Sequence, residues 1–291
     1  MNQPEAQQIE HWLKTFSFQI DNKWKLFNSG FYEEEDLPIQ GMYTSLAMFH
    51  ASLARSKFLN GDPLAEVRIE FANAAKSILK SFTMAYDKSD PDYVGDKCPP
   101  PNPHYTGHKD SIVEAKWLDP VYGQVSWSDV METEFIEGVN YALMAGDFEL
   151  TQQLAEWFRD PGDGDLMDID VNRYAHALKH ALLGGRQQGW GLLKVQLDDY
   201  AKKPPKSAGD KNYFTLITIL FGILEKDMEK FNEGLAAQLK FYQGYVRGEG
   251  KDTTEEFICD HAVALTNLGL HHGFHITVEH DTLPKGLLIQ V

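Results

Sequence analysis

Apolar residues recur at three- and four-residue spacings along most of the chain, and this repeat constrains the fold more than any other feature. The spacing places them on one face of an α-helix, and such a face must pack against another element. The pattern therefore predicts amphipathic helices. Four of the stripes are Val67-Phe71-Ala74-Ala75-Ile78-Phe82, Leu150-Leu154-Trp157-Phe158, Val171-Tyr174-Ala175-Leu178-Leu182 and Met228-Phe231-Leu235-Leu239-Tyr242.

Short turn sequences divide these helices into antiparallel pairs. The segment Asn60-Gly61-Asp62-Pro63 ends one helix and begins the next, with Asp62 predicted as the cap and Pro63 as the first helical residue. In Ala145-Gly146-Asp147 the predicted cap is Asp147. Two further pairs are divided at Gly184-Gly185 and at Glu225-Lys226-Asp227.

The pairs recur with a loose period of about 42 residues, which is typical of stacked helical hairpins. Helices are predicted to begin near Val130, Val171, Tyr213 and Glu255. The residues expected to cap them are Asp129, Asp170, Asp210, and Thr253 with Glu256 as a capping box. An irregular helical bundle would give similar spacing.

We predict an all-α fold of stacked antiparallel α-hairpins, a solenoid-like helical bundle with a short extended C-terminal tail. Residues 1–291 are expected to form a single helical domain. Within it we distinguish an N-terminal helical subdomain (1–86), an irregular Pro-rich segment (87–127), the hairpin repeats (128–273) and the tail (274–291). The prolines between Cys98 and Pro103 exclude a helix there. Alternation in His275–Glu279 predicts an extended piece or a short strand.

The chain is strongly acidic, with 43 Asp and Glu residues against 27 Lys and Arg residues and a formal net charge of −16. Such a field repels nucleic acid and anionic membranes, and it attracts basic proteins. We therefore expect a basic protein partner, with no direct nucleic-acid or membrane binding. A solvated surface that keeps the protein soluble would have the same composition.

The sequence favours a cytoplasmic protein. We see no apolar core of a signal peptide in Met1–Glu10. The longest apolar run, Tyr213 to Leu224, has 12 residues and is too short to span a bilayer. The two cysteines, Cys98 and Cys259, lie far apart in sequence and suit a reducing compartment.

Two acidic clusters are predicted to bind the partner, together with two aromatic anchors beside the Pro-rich segment. The first cluster lies between the first helix and the next, and the second lies in a loop that does not match the calcium-binding EF-hand template. Solvated charge is the alternative for both clusters. The predicted residues are Glu33, Glu34, Glu35 and Asp36, then Asp160, Asp163, Asp165 and Asp168, and the anchors Trp117 and Trp127.

Histidines near the C-terminus are expected to be capping or surface residues. A metal site needs ligands that converge on one point, commonly at helical spacings of three or four. His261 and His271 are ten residues apart and His271-His272 are adjacent, so neither pair has that spacing. Asp260-His261 reverses the His-Asp order of the metal-phosphohydrolase motif. Motifs for nucleophilic, phosphate-binding and dinucleotide chemistry are also absent. We expect no metal, no cofactor and no enzymatic activity, with a metal-dependent hydrolase as the alternative that these histidines leave open.

The C-terminal stretch resembles the ending of bacterial polymorphic-toxin immunity proteins, and immunity family 49 most closely. The resemblance covers roughly the last 35 residues. The residues that carry it are Asp260-His261-Ala262-Val263-Ala264-Leu265, Leu268-Gly269-Leu270, Gly273, and Glu279-His280-Asp281-Thr282-Leu283-Pro284-Lys285-Gly286-Leu287-Leu288.

This resemblance implies a cytosolic antidote, encoded beside a secreted toxin, that takes part in competition between bacteria by binding and blocking the toxin. The toxins of such systems are often nucleases, whose clefts are basic. An acidic surface would occlude such a cleft. The matching residues look structural, so no toxin-binding residue is carried over from the family. A helical-repeat scaffold or adaptor is the alternative function.

Overall fold

The computed structural model describes residues 4–35, 37, 39–95, 129–159, 169–248 and 250–290. These residues form eleven α-helices and contain no strand, which confirms the predicted all-α fold. The helices are α1 (Ala6–Asn28), α2 (Phe31–Glu34), α3 (Ile39–Asn60), α4 (Leu64–Tyr86), α5 (Glu132–Ala145), α6 (Phe148–Trp157), α7 (Ile169–Leu182), α8 (Arg186–Lys202), α9 (Ala208–Glu225), α10 (Met228–Tyr245) and α11 (Asp260–His271).

Consecutive helices pack as hairpins, α3 with α4, α5 with α6, α7 with α8 and α9 with α10, as the turn sequences predict. The turn between α5 and α6 illustrates the physical reason. Gly146 ends α5 at φ +75°, a left-handed conformation that favours glycine. The Asp147 carboxylate then accepts a hydrogen bond from the Leu150 amide at 2.9 Å, so the predicted cap is confirmed.

The five other predicted caps are wrong. Met131 and not Asp129 is the N-cap of α5. Asp170 lies inside α7, and Asp210 is the third residue of α9.

Pro63 is the N-cap of α4, and Asp62 lies one position outside it, where its carboxylate accepts a hydrogen bond from the Asn60 side chain. Thr253 makes no side-chain capping bond, because a 3-10 turn (Thr254–Phe257) follows it and α11 begins only at Asp260. Local sequence cannot distinguish a single 3-10 turn from the first turn of an α-helix.

A true capping box lies elsewhere, at the start of α9. The Ser207 side chain accepts from the Asp210 amide at 2.9 Å, and the Asp210 carboxylate accepts from the Ser207 amide at 3.3 Å. This helix therefore begins at Ala208, five positions before the predicted start at Tyr213. The helices α5 and α7 begin within two residues of their predicted starts.

The bundle closes on α5. This helix packs against α4, α6, α7 and also α11, which lies more than a hundred residues further along the chain. Buried apolar side chains form one continuous set from Ile20 to Leu287. A closed core of this kind holds distant helices in fixed positions, which is what a preformed binding site requires.

Two asparagine side chains hold the C-terminal tail against the helices. The Asn232 amide group donates to the His275 carbonyl at 3.1 Å, and its oxygen accepts from the Thr277 amide at 2.8 Å. The fully buried Asn267 donates to the Leu143 and Leu287 carbonyls and accepts from the Ile289 amide. No strand forms in the described part of the tail, and Lys285–Leu287 is a 3-10 turn.

Most of the predicted Pro-rich segment, residues 96–127, lies outside the described residues. In the described part of the chain, each helix is too short or too polar to cross a bilayer.

The contact between α9 and α10 generates a test of the packing. A Cβ atom on Gly222 would lie 2.6 Å from the Phe231 backbone nitrogen, whereas one on Gly191 in α8 would have no neighbour within 4 Å. We predict that Gly222→Ala lowers the free energy of unfolding by about 1–3 kcal/mol, because the backbones must separate. The control Gly191→Ala should raise it by roughly 0.5–1 kcal/mol through helix propensity. Urea unfolding measures both, and equal effects would contradict this packing.

Candidate binding cavity

A cavity of about 390 Å³ opens where α3, α5, α9, α10, the 3-10 turn and the start of α11 meet. Its walls combine charged side chains from α3, α5 and α11 with aromatic rings from α5 and α10. These elements come from both ends of the chain, so the site exists only in the folded bundle. It is the candidate functional site.

A buried ion pair between Arg55 and Asp260 forms one side of the cavity. The contact is bidentate, with Arg55 Nε 3.1 Å from Asp260 Oδ1 and Nη2 bonded to Oδ2. Arg55 is only 3% exposed. Burial acts to lower the pKa of Arg55, but the charge of Asp260 and its hydrogen bonds outweigh burial and raise that pKa. The guanidinium therefore stays charged, and α3 is tied to α11.

Glu137 and Tyr141 lie one turn apart on α5 and both line the cavity. Tyr141 is 6% exposed, and its hydroxyl has no hydrogen-bond partner within the described residues. The carboxyl group of Glu137 likewise has no hydrogen bond or ion pair there. Two polar groups therefore meet the cavity without a protein partner.

The environment of Glu137 opposes its negative charge. Desolvation by nearby protein atoms, with the neighbouring charge of Glu134, raises the pKa of Glu137 to about 7 against an opposing effect of Arg55. The side chain nevertheless remains exposed, because its free surface faces the concave opening. Near neutral pH this residue is poised between its neutral and ionised forms.

His261 occupies the first turn of α11 and is held by Asn140. The Asn140 side-chain nitrogen lies 2.9 Å from His261 Nδ1. When the amide donates, Nδ1 is the acceptor and the ring proton is on Nε2. Burial lowers the pKa of His261, and the nearby Asp260 opposes that shift. The imidazole is therefore a neutral polar group in the cavity wall.

Aromatic residues of α10 complete the wall. Phe241, Tyr242 and Tyr245 line the cavity on one side. The Tyr242 hydroxyl donates to the backbone carbonyls of Glu255 and Ile258, at 2.5 and 3.0 Å. This contact fixes the 3-10 turn, so that Glu255 joins the lining. Three carboxylates then face one guanidinium, and the site is suited to cations.

A nucleophilic thiol or a metal site would place specific requirements on the cavity and its neighbouring residues. The thiol of Cys259 is buried, and desolvation raises its pKa to about 12, so it stays protonated. Within the described ranges, no three histidine, cysteine, aspartate or glutamate side chains are placed to hold a metal ion together. The geometry favours binding by charge and aromatic contact.

The predicted partner-binding residues are only partly described, and those that are described do not line the cavity. Glu33 and Glu34 lie on the one-turn helix α2, Glu35 follows it, and all three are exposed. The remaining candidates lie outside the described residues: Asp36, Asp160, Asp163, Asp165, Asp168, Trp117 and Trp127.

Sequence reasoning missed the cavity. The sequence predicts structural or surface roles for Asp260 and His261. In the structure both residues line the cavity, where His261 is partly exposed. The one available signal was Arg55, a single charge between Ala54 and Ser56 on the mostly apolar helix α3. A lone arginine in such a helix indicates a buried partner without identifying it.

Comparisons of the chain with protein-family models, with curated proteins and with solved structures find no match.

The ion pair generates a stability test. We predict that Asp260→Asn lowers the free energy of unfolding by about 3–5 kcal/mol, because it leaves the Arg55 charge buried without a counter-charge. Asp198 is the matched control, since it pairs with Lys194 on the exposed surface of α8. Asp198→Asn should cost about 0–1 kcal/mol. Urea unfolding compares the two variants, and a loss for Asp260→Asn no larger than the control's would show that the buried pair is not needed.

Proposed function

We propose that this chain is an immunity protein that binds a basic secreted toxin domain in the cytoplasm and neutralises it by covering its active site. The observation that carries the proposal is the acidic excess, a formal net charge of −16 on a closed helical bundle. A rigid acidic surface suits a basic partner, because it binds without the loss of conformational entropy that a flexible surface would incur.

Charge would act on the partner in two steps. At long range, the acidic field would steer the toxin toward the protein and raise the association rate. At contact, exposed carboxylates would compete for the basic groups that otherwise hold the toxin's substrate. Glu33, Glu34 and Glu35 are exposed and adjacent, which supports a role for them in this surface.

The resemblance to immunity family 49 supports the finer part of the proposal. The residues that carry it form α11 and the tail, and the Cys259 amide beside them donates to the Thr282 carbonyl at 2.9 Å. Leu287 and Thr282 are fully buried. Most of these residues support the fold, but Asp260 and His261 also line the cavity, so a family-like ending contributes directly to the candidate site.

A helical-repeat scaffold is the second candidate, favoured by the succession of four hairpins. A scaffold binds its ligand on a groove lined by equivalent positions of successive repeats. The cavity instead draws on α3, α5, α9, α10 and α11 at positions that are not equivalent. This difference favours a dedicated binding protein.

Coexpression with the product of the adjacent gene tests the proposal. We expect rescue of growth and copurification of the two proteins. The association rate should fall steeply as salt rises from about 50 mM to about 500 mM, because screening shortens the range of the acidic field. An adjacent product that is neither toxic nor bound would contradict immunity, and a rate that does not depend on salt would contradict steering.

Two triple variants separate local from total charge. In E33Q/E34Q/E35Q, association at low salt should slow by about tenfold. The control E225Q/E229Q/E233Q removes the same charge from exposed positions on α9 and α10 and should slow it less. Equal slowing by the two variants would show that only the net charge matters. It would exclude Glu33, Glu34 and Glu35 as a contact surface.

A further inference from the structure

The cavity contains two polar groups that the protein leaves unsatisfied. Tyr141 is nine-tenths buried, yet its hydroxyl has no hydrogen-bond partner within the described part of the chain. Glu137, one turn away, has neither a hydrogen bond nor an ion pair among those residues. Buried polar groups are normally paired, so the unpaired Tyr141 hydroxyl is the unusual feature. Its oxygen and the exposed, unpaired Glu137 carboxylate are both acceptors that line the same space, and this suggests a ligand that supplies hydrogen-bond donors.

The charge of the cavity selects the kind of ligand. Its single guanidinium, Arg55, is already engaged by both oxygens of Asp260. Glu137 and Glu255 therefore face the cavity with no cation of their own among the described residues. An anion would be repelled by these carboxylates, and a cation would be attracted.

The shape and lining select an organic cation over a metal ion. A volume of about 390 Å³ is far larger than a bare ion needs and lies at the lower end of the range typical of small-ligand sites. The rings of Phe241, Tyr245 and Tyr141 line the same space. Aromatic faces attract guanidinium and ammonium groups, and they accommodate the alkyl chain that carries such a group.

We propose that this cavity binds an alkylguanidinium group between Glu137 and Tyr141 and the aromatic rings of α10. A guanidinium is planar and has five N–H donors, so it can bond to both oxygens of Glu137 and to the Tyr141 hydroxyl at once. An alkylammonium group makes fewer directed bonds and is more strongly hydrated, so it binds more weakly.

The source of the guanidinium is either an arginine side chain of a basic partner, which rests on the proposed function, or a free arginine-like molecule. In the first case the cavity holds an anchoring arginine, of the kind that contributes strongly to protein interfaces. In the second case the cavity is a small-molecule site that does not depend on any toxin.

Calorimetric titration of the full chain with three probes tests the ligand class. The probes are butylguanidinium, butylammonium and butylurea, where the urea has the shape of the guanidinium without its charge. We expect saturable binding of one butylguanidinium per chain. Butylammonium should bind more weakly, and butylurea at least about tenfold more weakly. Absence of saturable butylguanidinium binding, or equal binding of butylurea, would overturn the proposal.

Substitutions locate the site. Glu137→Gln preserves the shape and breaks no protein hydrogen bond, and it should weaken butylguanidinium binding at least about tenfold. Tyr141→Phe should weaken it about threefold, and it provides a second test should Glu137→Gln fail to fold. The exposed control Asp198→Asn should leave binding unchanged. Circular dichroism and thermal unfolding establish that each variant is folded, and full affinity in folded Glu137→Gln would overturn the site.

The partner distinguishes the two sources. Where the copurified basic protein also loses affinity for the Glu137→Gln chain, the guanidinium is one of its arginine side chains. Where that protein binds the variant normally while butylguanidinium does not, the ligand is a free guanidino compound. Without any basic partner, the proposed function fails and the butylguanidinium result still decides the ligand class of the cavity.

Discussion

The bidentate ion pair between Arg55 and Asp260 is the contact on which the rest of the structure depends. It joins α3 to α11 across 205 positions of sequence, at the point where the bundle closes on α5. A buried charge is tolerated only when a counter-charge and hydrogen bonds compensate it. The pair therefore restricts how these helices can pack. Both of its side chains lie in the wall of the cavity between them.

Negative charge acts in this protein on two length scales. The net charge of −16 produces a field over the whole surface, which salt screens beyond a Debye length of about 10 Å. Glu137 acts only at contact, within a recess that is partly desolvated and therefore less screened. The long-range field increases the association rate. The carboxylate in the cavity determines which chemical group binds there.

The helices could be predicted from the sequence because their cause is local. Each apolar stripe repeats within one helix, and Asp147 caps α6 through a bond to a residue three positions away. Predictions failed where a second element decides the outcome. A 3-10 turn and not an α-helix follows Thr253. In and after this turn, the backbone carbonyls of Glu255 and Ile258 accept hydrogen bonds from the Tyr242 hydroxyl of α10. Asp62 lies one position before Pro63, the N-cap of α4.

The cavity could not be predicted for the same reason. Arg55 and Asp260 lie in different helices, and no local pattern relates them. Glu137 has the sequence context of an ordinary solvated glutamate on an amphipathic helix. Its pKa is raised mainly by desolvation in the folded bundle, with the charge of Glu134 on the same helix adding to it. The acidic runs were conspicuous in the sequence because they are contiguous. Of these, Glu33, Glu34 and Glu35 are exposed in the described structure.

The central claim is that the unpaired carboxylate of Glu137 binds a cation in the cavity. The titration of Glu137 tests this claim most directly. In protein labelled with ¹³C at glutamate carboxyl groups, Glu137→Gln identifies the resonance. The account predicts that this resonance titrates near pH 7 in the free protein and at clearly lower pH when butylguanidinium is present, because a bound cation favours the ionised form. A resonance that titrates near 4.5 in both samples would contradict the account.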